Sequence, residues 1–100
     1  MSVVVMVRFK GDPGQLEKVI AENPDRMMRI VDDGRKHGVL HHRFVAGQGE
    51  FMVIDEWPSA EAFQSFFAQQ TEIPDVIREV GVTGEPEVTV WESMTTPDQI

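Results

Sequence analysis

Residues 39–67 read VLHHRFVAGQGEFMVIDEWPSAEAFQSFF. Two β-prone runs, Val39–Ala46 and Phe51–Trp57, flank Gly47-Gln48-Gly49, whose composition suits a hairpin turn. Pro58 ends the second run. Ser59 is placed as a helix N-cap, with Glu61 in the first turn. Phe63, Phe66 and Phe67 then recur at i, i+3 and i+4, on one face of a helix reaching about Gln70. The segment therefore reads as strand, tight turn, strand, helix.

The flanks extend this pattern. Upstream, Ser2–Phe9 is valine-rich and nearly all apolar, a strand by the preference of β-branched side chains for the pleated surface. Gly11-Asp12-Pro13-Gly14 breaks it. Leu16, Val19 and Ile20 then form a helical stripe. Asn23-Pro24-Asp25 restarts the helix, with Asn23 as N-cap and Pro24 in the first turn. Met27, Ile30 and Val31 continue the stripe, and Gly38 ends it. Downstream, Ile73, Val76, Ile77 and Val80 mark a short helix that Gly81 and Gly84 stop, and Pro86–Glu92 is a fourth strand. The order β-α-β-β-α-β defines an α+β, ferredoxin-like domain: a four-stranded antiparallel sheet with its helices on one face. The expected domain spans residues 1–93, followed by a polar tail at 94–100.

Composition narrows the function classes. Of 100 residues 41% are apolar, enough for one globular core. No apolar run reaches the roughly 18 residues of a membrane span, and the N-terminal run lacks a basic lead, so it reads as a strand. With no cysteine there is no thiolate chemistry and no Cys-ligated metal; the default expectation is cytoplasmic. A net charge of −8, without a basic stripe, argues against nucleic acid and anionic membranes as partners.

A sheet with helices on one side should alternate apolar and polar residues if its other side meets water. The first strand does not alternate. The third places Met52 and Ile54 opposite Phe51, Val53 and Trp57. Apolar side chains on both sheet faces predict a twofold homodimer with sheets face to face, a dimeric α/β barrel.

Two hairpin registers are open. A two-residue Gln48-Gly49 turn sets His42 across from Asp55; a three-residue turn sets His41 there. The first gathers Leu40, His42, Phe44, Ala46, Phe51, Val53 and Trp57 on one apolar face, the one helices should cover. It makes His42 and Asp55 the candidate catalytic pair, a carboxylate orienting an imidazole base inside the subunit. Because neighbouring strand residues face opposite ways, His41 and His42 cannot share a metal, and no metal site is expected. Trp57, Phe63, Phe66, Phe67 and Trp91 are candidates to line an aromatic-binding cavity, with Asn23, which interrupts an apolar stripe, as a candidate polar contact.

On the valine-rich first strand, on Gly38, and on FMVIDEWPSAEAFQSFF (residues 51–67), the chain resembles the dimeric α/β-barrel superfamily, in particular its antibiotic-biosynthesis-monooxygenase-like group. The resemblance implies a homodimer with one small-molecule pocket per subunit, and with it a cofactor-independent monooxygenase-like enzyme on an aromatic or lipophilic substrate. Heme-degrading members carry a pocket tryptophan where Trp57 stands. Their heme-binding histidine on the following helix and their first-strand asparagine have no counterparts here, so no heme, and no other cofactor, is expected. The alternatives are a non-catalytic small-molecule-binding module and a structural dimerisation module.

Overall fold

A computed structural model describes residues 1–100. The elements run β1 (Val3–Lys10), α1 (Pro13–Glu22), α2 (Pro24–Lys36), β2 (His41–Gly47), β3 (Glu50–Trp57), α3 (Ala60–Gln69), α4 (Ile73–Val80) and β4 (Thr83–Glu92). The strands form one antiparallel sheet in the order β2-β3-β1-β4. This is the expected ferredoxin-like arrangement, with β1 and β3 central and β2 and β4 as edges.

Local chemistry starts each helix where the sequence places it. Asp12 Oδ1 accepts from the Gly14 N–H at 2.9 Å, and Asn23 Oδ1 accepts from the Arg26 N–H at 3.3 Å. Ser59 Oγ accepts from the Ala62 N–H at 3.1 Å. Each bond satisfies a donor that the first helical turn leaves free. Gly38 leaves α2 at φ 91°, where a Cβ would meet Pro58 Cγ at 3.1 Å, so both backbone and space demand glycine there.

Strand pairing decides which side chains face the helices. Val3, Val5, Val7 and Phe9 of β1 are buried, and β3 adds Phe51, Asp55 and Trp57. The helices close this face with Leu16, Val19, Ile30, Phe63, Phe66, Val76 and Val80. The opposite face carries Val4, Met6, Val45, Met52 and Ile54, all partly exposed in the single chain, and Trp91, 59% exposed. The second face of the two central strands is thus apolar at Val4, Met6, Met52 and Ile54, with Glu56 at one end and Arg8, Lys10 and Glu50 at the other, where Arg8 pairs with Glu50 at 2.7 Å.

Two strand starts differ from expectation. β2 begins at His41 rather than Val39, which leaves Leu40 exposed instead of under the helices. β4 begins at Thr83 rather than Pro86, and Gly84 does not stop a helix. It lies within the strand at φ 74°, beside the register shift opposite Arg8–Lys10. Glycine supplies the backbone freedom such an irregularity requires.

Candidate functional site

Gln48 and Gly49 form a two-residue turn, with Gly47 paired to Glu50, and this register places His42 opposite Asp55. The His42 Nδ1–H donates to Asp55 Oδ1 at 2.6 Å. The carboxylate fixes the tautomer, so the lone pair resides on Nε2. His41 lies on the other face, its Nε2 3.8 Å from Glu56 Oε1.

The burial of the pair corrects the sequence expectation. Asp55 is the interior member, its side chain 8% exposed, while that of His42 is 34% exposed. The imidazole belongs to an edge strand and keeps a solvent-facing side, whereas Asp55 belongs to a central strand roofed by helices. The dyad therefore spans from solvent to the interior.

That interior holds a cavity of about 100 Å³ between the sheet and the helices. Of 21 lining residues 18 are hydrophobic, and the other three are Gly34, His42 and Asp55. The dyad is thus the cavity's only titratable equipment. All six phenylalanines of the chain and Trp57 line it, so seven of the eight aromatic residues converge on one space. Trp57 stacks obliquely on Phe66 with ring centroids 5.1 Å apart, and meets Phe63 edge-on at 5.9 Å. Phe63 meets Phe67 at 5.5 Å, and Phe44 meets His42 edge-on at 5.3 Å. An engineered apolar cavity of roughly 150 Å³ holds benzene, so this space suits about one aromatic ring.

A further polar atom has no partner. Trp57 is 1% exposed, and its Nε1–H is buried without a hydrogen bond. Leaving a buried donor unmatched costs about 1–3 kcal/mol, and an acceptor on a bound molecule would recover it.

Trp57, Phe63, Phe66 and Phe67 line the cavity, and two other candidates, Asn23 and Trp91, do not. Asn23 is exposed and is occupied in capping α2. Its interruption of the apolar stripe marks the break between two helices, not a side chain turned inward. Trp91 pairs with Val4 across β1–β4 and so shares the face away from the helices. Strand parity, which depends on the β1–β4 register, decides this. The sequence reading overlooked Phe9 and Gly34. Phe9 follows Val5 and Val7 at period two. Gly34 is buried within α2, where a Cβ would lie 3.4 Å from Val39 Cγ1 and 3.8 Å from both Phe66 and Trp57. That glycine on the helix's apolar stripe was the available signal.

Polar bridges along one edge of α2 tie it to the α3–α4 segment on the cavity's flank. Arg26 holds Glu79, Arg29 holds Glu72 at 2.7 Å, and Gln70 Nε2 donates to Asp33 Oδ2 at 3.0 Å. Glu72 and Glu79 sit below the ordinary carboxylate range, chiefly through the hydrogen bonds their arginines donate.

No protein-family model and no curated protein matches the chain. Solved structures do. SnoaB of Streptomyces nogalater, described as a cofactor-independent oxygenase, superposes with a TM-score of 0.66 at 21% identity, covering 98% of each chain. A protein described as an antibiotic biosynthesis monooxygenase gives 0.63 at 15% identity, over 93% of this chain and 99% of that one. Rv0793 from Mycobacterium tuberculosis gives 0.62 at 16% identity, over 98% and 100%. The chain shares the ferredoxin-like fold of these proteins along nearly its whole length. The likeness expected from the first strand, Gly38 and residues 51–67 holds at the level of the fold.

Proposed function

We propose that this chain is the protomer of a homodimeric small-molecule enzyme, a cofactor-independent, monooxygenase-like protein acting on an aromatic or lipophilic substrate. The observation that carries the reading is the cavity's composition. One oriented His–Asp pair faces a space otherwise walled by apolar and aromatic side chains. A purely structural core has no need of such a pair, and a binding pocket typically combines an apolar wall with a few placed polar groups.

In that role His42 Nε2 accepts a proton from an acidic C–H or O–H of the substrate, and Asp55 stabilises the resulting imidazolium. Nε2 then returns this proton to the oxygen atom that departs as water, which leaves the ring neutral again. The buried Trp57 N–H supports an oxygen that gains negative charge. In an oxygenation of this kind the substrate itself supplies the electrons that reduce dioxygen. An activated methylene gives up its two C–H bonds and becomes a carbonyl. One atom of dioxygen becomes the carbonyl oxygen, and the other leaves with both hydrogens as water. The fold shared with proteins described as oxygenases supports the reaction class, and the apolar centre of the second sheet face, Val4, Met6, Met52 and Ile54, supports the dimer.

The test combines binding and turnover. Titration with benzyl alcohol should move the indole N–H resonance of Trp57 and leave that of Trp91 in place. A panel of one-ring aromatics with activated C–H bonds should reveal oxygen uptake without added metal or flavin. His42→Ala should abolish uptake while the dimer stays folded. A Trp57 resonance indifferent to every probe would refute the pocket. Binding with no oxygen uptake across the panel would refute the enzyme and leave the non-catalytic binding module.

A further inference from the structure

The proposed cavity has a charge character that the fold does not dictate. No lysine or arginine is among its lining residues, and Asp55 is the one carboxylate there. Only Oδ1 of Asp55 is engaged, by the His42 Nδ1–H; no hydrogen bond falls on Oδ2. That second oxygen is not sealed off, since the only buried side-chain nitrogen or oxygen without a partner is Trp57 Nε1. The cavity that Asp55 lines is walled largely by aromatic rings, whose faces carry negative quadrupole charge and attract cations. The chain's net charge of −8 adds a background of the same sign.

We propose that the cavity is selective for the charge of its ligand: it takes a single aromatic ring bearing an ammonium group and rejects the matching carboxylate. The ammonium donates to Asp55 Oδ2 while the ring occupies the apolar space near Trp57 and Phe66. A carboxylate there would face Asp55 at close range with no cation to offset either, which costs more inside a low-dielectric cavity than in water. This deepens the proposed function and rests on the cavity holding a small molecule.

Benzylamine, toluene and benzoate share one ring and differ in charge, so their affinities by calorimetry or NMR titration read the selectivity directly. At about pH 8, above the ordinary imidazole range, benzylamine should bind at least about tenfold more tightly than benzoate, with toluene between them. Asp55→Asn, close in shape, should bring benzylamine and toluene to within about twofold of each other by removing the charge. A second readout needs no variant: the Asp55 carboxyl-carbon resonance should shift with benzylamine and not with toluene. Benzoate binding as tightly as benzylamine, or an Asp55 resonance indifferent to the amine, would overturn the charge selectivity while toluene binding still upheld the cavity. If none of the three binds, the cavity reading falls and the selectivity with it.

Discussion

Removing the imidazole of His42 tests whether the dyad exists in solution and what it contributes to folding. Asp55 is 7% exposed, and its one side-chain hydrogen bond comes from His42 Nδ1 at 2.6 Å. His42→Ala leaves a carboxylate inside an apolar cavity without that donor. An unsatisfied buried group costs about 1–3 kcal/mol, with charged groups toward the upper end. Solvent reaching the site through the vacated imidazole position offsets part of this, so about 2 kcal/mol is expected. For a domain of this size that lowers Tm by roughly 10 °C. Asp55→Asn keeps an acceptor for the Nδ1–H and should cost less, about 1 kcal/mol. Once either partner is changed, the other matters less. The double variant should therefore lose less than the two single losses added together, with a coupling of about 1 kcal/mol. Urea unfolding of the four proteins at one pH measures each value. A His42→Ala variant within about 0.5 kcal/mol of the parent, the range of ordinary surface changes, would show that the pair is not made in solution.

Light scattering should give about twice the 11.3 kDa chain mass, and Ile54→Asp should reduce it to the monomer, because an unpaired charge in a buried interface is costly; a parent chain that is itself monomeric would refute the face-to-face dimer. Gly34→Ala should raise stability by about 0.5–1 kcal/mol in urea unfolding, since alanine favours the helix interior and the new Cβ makes ordinary contacts with Val39 and Phe66; a loss would show that the cavity wall cannot accept a methyl group. Glu72 and Glu79 have lowered folded-state pKa values, so the stability they contribute is present above the ordinary carboxylate range and is lost as pH falls through the lowered values. Changing Arg26 and Arg29 together to Gln should flatten that acid limb in a Tm-against-pH series, whereas an unchanged limb would place the acid sensitivity elsewhere.

Much of this molecule follows from local rules that act within a few residues. Asn23-Pro24, Ser59 and Gly38 are a cap, a cap and a positive-φ exit by their own chemistry, so the helix boundaries could be read directly. Period-two and helical spacing sorted the core, and the Gly47–Gly49 segment narrowed the hairpin to two registers. The apolar company that one register gathers around His42 already favoured it over His41. Three other features depended on distant parts of the chain meeting. Trp91 faces away from the cavity because of the β1–β4 register, which joins the first strand to the last. The exposure of His42 follows from β2 being an edge strand, and strand order is not encoded in any one strand's pattern. The cavity itself depends on how far α2, α3 and α4 stand from the sheet. That distance is set by the combined volumes of many side chains, and the absence of one at Gly34 becomes visible only when helix and sheet are packed together.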